Sequence, residues 1–174
     1  MNNAIKYPDD DGSFIIIDRT ESLCSSTIGW RRYKPAYSHL KDCKYPREYL
    51  HELTHTLGFA HEHQRPDRDS YVKVYEEKVI DQRQIVSFKI RPASRKYNYS
   101  LYPYDYNSIM HYETNAGVYK SDYSIVSRDE SVFKTANIGP KETYSEIDKQ
   151  QLRDIYSCSF NEFVDSWKTF QTLS

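Results

Sequence analysis

The sequence lacks an excess of charge of either sign, with 24 lysines and arginines against 25 aspartates and glutamates in 174 residues. Without a basic surface, a protein gains little from counterion release on nucleic acid or on an anionic membrane. Long apolar runs are also lacking, because the longest, at residues 14–17, is far shorter than the roughly 20 residues of a membrane-spanning helix. We therefore expect a soluble protein with neither nucleic acid nor a membrane as a partner.

Cysteine is scarce, and its odd count allows one disulfide and leaves one thiol; the three residues are Cys24, Cys43 and Cys158. This composition alone does not choose a redox compartment. The first residues, MNNAIKYPDDDG, have neither a basic region nor an apolar stretch, so no secretory signal peptide is expected in this chain. The length fits one domain, and nothing in the composition predicts an oligomeric state.

Local patterns predict two strands and a helix in the first third of the chain. Residues 13–18, SFIIID, are typical of a buried strand, and residues 36–40, AYSHL, which follow a proline, predict an edge strand. A helix is predicted from Pro46, because leucines recur at helical spacing, and Gly58 is expected to end it. The leucines are Leu50, Leu53 and Leu57.

The rest of the chain gives fewer signals. Residues 71–88 have mixed strand and helix character, and residues 97–108 are rich in turn formers. Ser145 and Asp148 predict the cap of a second helix. Its apolar side would consist of Leu152, Ile155 and Tyr156. The segment after Cys158 has no predicted structure.

Residues 51–69, HELTHTLGFAHEHQRPDRD, hold four of the six histidines. His51 and His55 are four apart, so on a helix both can direct ring nitrogens at one metal ion about 2.0 to 2.1 Å away. Glu52 lies beside them without sharing their face, where a carboxylate can accept a proton from metal-bound water. A third ligand on the same face would lie too far along the axis. Gly58 can instead turn the chain so that His61 approaches from another direction.

Two histidines with this spacing and a glutamate between them also occur by chance. The longer pattern H-E-x-x-H-x-x-G-x-x-H is far more specific, since it is the zinc signature of metzincin proteases and is followed downstream by a methionine turn. SIMHY, at residues 108–112, supplies that methionine. The sequence therefore predicts a metal site.

On these residues the chain resembles the astacin-type metalloendopeptidases. HELTHTLGFAHEHQRPDRD and PYDYNSIMHY are highly specific matches, and LCSSTIGWR and NIGPKETYSEIDKQQLRDIYSC are weaker ones. Together the matches cover about residues 13–158. The resemblance implies an α+β, metzincin-like zinc protease domain. It would have a small mixed sheet, an active-site helix above the cleft and a mostly irregular C-terminal half with a terminal helix. We expect the domain at residues 1–158 and a tail at 159–174.

The resemblance also implies roles for single residues. His51, His55 and His61 would bind one Zn²⁺ per chain, and Glu52 would be the general base. Tyr112 would be an additional zinc ligand whose hydroxyl swings away to stabilise the oxyanion, although ordinary packing is the alternative in a chain with 17 tyrosines.

Other residues would serve the structure. Met110 would form a hydrophobic floor beneath the metal, and Glu62 anchors the matured N-terminus in family members. An ion-pair cluster is expected from Arg65, Asp67, Arg68 and Asp69. No chemistry is expected of His39, His63 or His111, although the strand that holds His39 would pair with an extended substrate by resemblance.

The implied function is hydrolysis of internal peptide bonds in protein substrates, by an enzyme acting outside the cell. Substrate identity is not encoded in the motifs, since the pocket loops between Tyr112 and Glu142 match the family least. An inactive or unstable fragment and a zinc-binding module without catalysis are the alternatives, and the intact Glu52 argues against the module.

The cysteines and the start of the chain add two expectations. By resemblance Cys24 and Cys43 form a disulfide, and Cys158 has lost its partner. The resemblance also implies that about forty residues of the catalytic domain, together with a propeptide, are missing from the start. Lower stability and activity would follow from that loss.

Overall fold

The computed structural model describes residues 3–6, 14–29, 34–92, 101–139 and 141–156. A four-stranded mixed sheet opens the chain, and its strands are ordered β1-β2-β4-β3. Strand β2 runs parallel to β4, whereas β1 and β3 are antiparallel to their neighbours. The strands are β1 (Asn3–Lys6), β2 (Phe14–Asp18), β3 (Ser25–Ser26) and β4 (Ala36–His39).

The strand predicted at residues 13–18 is confirmed as β2, but the prediction that residues 36–40 form an edge strand is wrong. Strand β4 pairs with β2 on one side and with β3 on the other, so the edge on that side is β3. Pro35 lies just before the first residue of β4, so its missing N–H falls outside the strand. Strand β1, which the sequence did not predict, covers the outer edge of β2.

Helix α1 (Pro46–Thr56) confirms the helix predicted from Pro46. The Glu48 carboxylate accepts hydrogen bonds from the backbone N–H groups of Lys44 and Tyr45 at 2.6 and 3.2 Å. These bonds satisfy two backbone donors just before the first turn of the helix. The helix ends just before Gly58, as predicted, and the φ of 101° at this residue is a conformation that glycine adopts without strain.

The middle of the chain is mostly irregular. Residues 71–88 form one short strand followed by 3-10 turns at Glu76–Lys78 and Gln82–Phe88, which explains their mixed pattern. Strand β5 (Val72–Val74) pairs antiparallel with β6 (Ile125–Ser127). Around this ribbon lies the larger core, composed of Val72, Val79, Phe88, Tyr104, Ile125 and Ile138.

Helix α2 (Glu146–Tyr156) has the predicted cap. The Ser145 hydroxyl accepts the Asp148 N–H at 2.9 Å, and the Asp148 carboxylate accepts the Ser145 N–H at 3.0 Å. Its predicted apolar side is only partly right. Leu152 packs on the core, but Ile155 and Tyr156 are 39% and 37% exposed. The helix buries the side chain of the polar Asp148. In this orientation the residues at its C-terminal end face solvent.

Two predictions fall outside the described residues: the free thiol of Cys158 and the tail at 159–174. The disulfide between Cys24 and Cys43 is confirmed, with Cα atoms 5.0 Å apart. Among the helices of the described ranges, none has the length and apolar character needed to cross a bilayer.

Asp148 joins α2 to the methionine turn. Its buried carboxylate accepts the Ser108 hydroxyl at 2.7 Å and the Ile109 N–H at 2.8 Å, in addition to the Ser145 N–H. We expect Asp148→Ala to lower the free energy of unfolding by about 2 to 4 kcal/mol, because it leaves buried donors unpaired. Urea unfolding measures the change. The matched control is Asp154→Ala, at an exposed position of the same helix, and equal losses in the two variants would contradict the anchoring role.

Candidate active site

The three predicted histidine ligands meet at one point beside α1. His51 and His55 occupy successive turns of the helix, and the turn at Gly58 returns the chain so that His61 faces them. One ring nitrogen from each histidine lies within 4.8 Å of those from the other two. The Nε2 atoms of His55 and His61 are only 3.2 Å apart.

Each of the three imidazoles is oriented by an oxygen on its far side. Nδ1 of His51 lies 2.7 Å from the Ile109 carbonyl, and Nδ1 of His55 lies 2.7 Å from the Phe59 carbonyl. Nδ1 of His61 lies 3.1 Å from the Gln64 side-chain oxygen. Since these oxygens can only accept, the proton of each neutral ring is on Nδ1, and each Nε2 presents a lone pair.

The arrangement fits a divalent metal. Two unprotonated nitrogens at 3.2 Å cannot hydrogen-bond to each other, and burial lowers the pKa of all three histidines, that of His55 to about 3. Two nitrogen ligands of a tetrahedral zinc ion are roughly 3.3 Å apart when each Zn–N bond is about 2.0 Å. His51, His55 and His61 are therefore a group that can bind zinc.

Glu52 is in the position predicted for a base. The residue is only 8% exposed, and its Oε2 atom has no hydrogen-bond partner within the described part of the chain. Burial raises the pKa of this carboxyl to about 7. Glu52 can therefore exchange a proton near neutral pH.

Tyr112 reaches the same site. It lines a cleft of about 260 Å³ together with His51 and Glu52. Its ring centroid lies 4.4 Å from that of His61, and burial, together with the nearby Glu52 carboxylate, raises the pKa of its hydroxyl. The five residues predicted for the site, the three histidines, Glu52 and Tyr112, are thus all brought together.

Met110 and the residues after His61 support the metal-binding histidines. Met110 is 2% exposed and packs with Phe59 and Ile109, and its carbonyl accepts the Glu62 N–H at 2.9 Å. Its neighbour Ile109 provides the carbonyl that orients His51. The methionine turn therefore touches two of the ligand-bearing segments.

The predicted ion-pair cluster is present. Arg65 is almost fully buried, and its guanidinium donates to the carboxylates of Glu62 at 2.8 Å and Asp67 at 2.8 Å. Arg68 pairs with Asp69 at 3.2 Å. The buried carboxylate of Glu62 is therefore paired within the chain. It accepts from the Arg65 guanidinium and, at 2.9 Å, from the Asp105 N–H.

The residues that orient the site were not predicted from the sequence. Gln64 fixes the His61 ring, and its own orientation is set because its amide nitrogen donates to the Val86 and Lys89 carbonyls. The edge strand β3 packs against helix α1, which carries Glu52. A polar residue three positions after a metal-binding histidine is a weak signal, and no local signal places β3 at the site.

Comparison with known proteins decides the family. The model of the Astacin peptidase family matches residues 4–157. The chain belongs to the astacin family. It is 35% identical to tolloid-like protein 1 of Homo sapiens over 153 residues, covering 86% of the chain and 15% of that protein. It is 32% identical to human meprin A subunit beta over 157 residues, covering 83% of the chain and 20% of that protein.

A solved structure supports the fold of this astacin-family chain. High choriolytic enzyme 1, a hatching enzyme zinc-protease from Oryzias latipes, matches with a TM-score of 0.66 and 28% identity, over 83% of the chain and 69% of that structure. The predicted α+β astacin-type fold is therefore confirmed, and the family's zinc proteases imply zinc at the three histidines. The domain boundary at residue 158 stays a prediction. The chain spans less than a third of tolloid-like protein 1 and of meprin A subunit beta.

Proposed function

We propose that this chain is a zinc-dependent endopeptidase that hydrolyses internal peptide bonds of protein substrates. One observation carries the proposal: three imidazole lone pairs converge beside the unpartnered, buried Oε2 atom of Glu52 in an open cleft of the described part of the chain. Three histidine ligands without a nearby base would bind a metal ion but would not catalyse hydrolysis. The carboxyl of Glu52 adds the means to move a proton.

His51, His55 and His61 would hold the zinc ion. When bound, zinc supplies Lewis-acid polarisation of a substrate carbonyl and lowers the pKa of water. Glu52 accepts a proton from the attacking water and delivers it to the leaving amine. The Oε2 atom can do both because no hydrogen-bond donor in the described part of the chain contacts it.

Tyr112 would stabilise the developing negative charge. Its hydroxyl stays protonated at neutral pH, because burial raises its pKa, and it lines the same cleft as Glu52. A phenolic donor aimed at the oxyanion acts only as charge develops on the carbonyl oxygen, so it lowers the barrier more than it tightens substrate binding.

The substrate would bind as an extended strand along β3 (Ser25–Ser26). Within the described part of the chain this strand is an edge of the sheet, and it packs against helix α1, which carries Glu52. A peptide that adds to a sheet edge is held by its backbone, so this mode suits protein substrates of varied sequence. The sequence predicted that the substrate pairs with the strand that holds His39. We propose instead that it pairs with β3.

We propose that the enzyme acts outside the cell. The disulfide between Cys24 and Cys43 is of a kind that persists in oxidising compartments. A relative from Loxosceles intermedia, 28% identical over 183 residues, is named an astacin-like metalloprotease toxin. Nucleic acids and membranes remain unexpected as partners.

The proposal is tested with an unfolded protein such as casein as substrate. We expect mass spectrometry to find products from internal cleavage, loss of cleavage in the presence of a chelator, and recovery when zinc is added back. A chain that binds zinc and never cleaves would be a non-catalytic module. Cleavage that continues in the chelator would exclude the metal mechanism.

A further inference from the structure

His63 is fully buried two residues after the metal-binding His61, and the proposed chemistry does not use it. Its Nε2 lies 2.9 Å from the Ser87 carbonyl, which can only accept, so Nε2 holds the proton. The unprotonated Nδ1 then accepts the backbone N–H of Tyr112 at 3.4 Å. Both ends of this imidazole are therefore bonded, one of them to the residue proposed to stabilise the oxyanion.

Aromatic side chains also pack on the ring of Tyr112. The rings of His63 and Tyr112 lie 4.3 Å apart, with an angle of 32° between their planes. Phe88 also contacts the Tyr112 ring, with ring centroids 5.4 Å apart. His63 thus links the backbone of Tyr112 to the carbonyl of Ser87.

The segment that carries Ser87 is itself fixed to the residues after the third metal ligand. Gln64 donates to the carbonyls of Val86 and Lys89 at 3.3 and 3.2 Å, and Arg68 donates to the carbonyl of Phe88. Gln64 also orients His61. The position of Ser87 is therefore tied to the position of the metal ligand, and both determine where Tyr112 lies.

We propose that His63 is a positioning residue for Tyr112. It fixes the backbone and the ring of Tyr112, and the Ser87 carbonyl holds the His63 imidazole in place. The catalytic consequence rests on the proposed function, whereas the placement of Tyr112 does not. A catalytic donor must be held close to its productive geometry by its surroundings, so loss of either contact is expected to displace it.

The placement is tested without metal or activity. Protein labelled with 3-fluorotyrosine gives a ¹⁹F NMR signal for Tyr112, assigned as the one that Tyr112→Phe removes. We expect His63→Leu to shift and broaden this signal, and His63→Gln, which keeps one donor and one acceptor, to restore it. His63→Phe, which keeps an aromatic ring and loses both ring nitrogens, is the second variant and serves if His63→Leu does not fold. An unchanged Tyr112 signal in His63→Leu or, failing that, in His63→Phe would overturn the proposal.

The catalytic consequence is tested in the zinc-loaded enzyme. We expect His63→Leu to lower kcat about tenfold with KM and zinc content unchanged, since small displacements of a catalytic group lower rates by up to about 10²-fold. In a Tyr112→Phe background the same substitution should have almost no effect. An equal loss in both backgrounds would show a merely structural role. If the unmodified chain cleaves nothing, the proposed function fails, and the NMR signal still decides the placement.

Discussion

Glu52→Gln lowers kcat by about 10²- to 10⁴-fold and leaves zinc bound, which is the expected loss when a general base is removed. The amide has almost the same shape as the carboxyl but cannot accept a proton from water. Glu52 is not one of the three converging ligands, and its Oε2 atom has no described partner, so the substitution removes proton transfer without breaking a structural contact at that atom. Zinc content measures whether the metal stays bound, and initial rates on a fluorogenic peptide measure the loss of activity.

The matched control is Glu77→Gln, which makes the same chemical change at an exposed position in the 3-10 turn Glu76–Lys78. Its rate is expected to stay within about twofold of the unmodified enzyme, because exposed substitutions away from special features have small effects. A Glu52→Gln rate within tenfold of the unmodified enzyme would exclude Glu52 as the base.

Tyr112→Phe lowers kcat by about 10²- to 10³-fold with little change in KM, which is the typical cost of losing one oxyanion donor. The ring remains, so its packing against His61 and Phe88 is preserved, and only the hydroxyl is lost. Steady-state kinetics separates the two parameters.

Tyr119→Phe removes a hydroxyl from a tyrosine that is 73% exposed, and it should leave both kinetic constants unchanged. If Tyr112→Phe instead raises KM and keeps kcat, Tyr112 contacts the bound substrate and not the oxyanion.

Those parts of the site that depend on local geometry could be predicted from the sequence. His51 and His55 are four residues apart on a helix, and the turn at Gly58 brings His61 back, so short-range spacing determines the metal ligands. The cap of α2 is equally local, since Ser145 and Asp148 are three residues apart. In both cases a helix converts sequence distance directly into spatial distance.

Features that depend on distant segments could not be predicted. Strand β4 lies inside the sheet because the two-residue strand β3 pairs with its outer side, and β3 is too short to leave a pattern. His63 contacts Ser87 and Tyr112, which are 24 and 49 residues away. Asp148 faces inward because Ser108, 40 residues earlier, donates to it. Chain folding, and not local spacing, creates these contacts.

Zinc titration of the metal-free chain is the decisive experiment for the proposed mechanism, because metal binding and peptide cleavage are measured in the same samples. We predict that cleavage rises in proportion to added zinc and stops rising at about one equivalent per chain, the number that three converging histidines and one open position would hold. Glu52→Gln should bind the same equivalent without gaining activity. Cleavage that does not depend on zinc, or a Glu52→Gln protein activated by zinc as strongly as the unmodified chain, would contradict the mechanism.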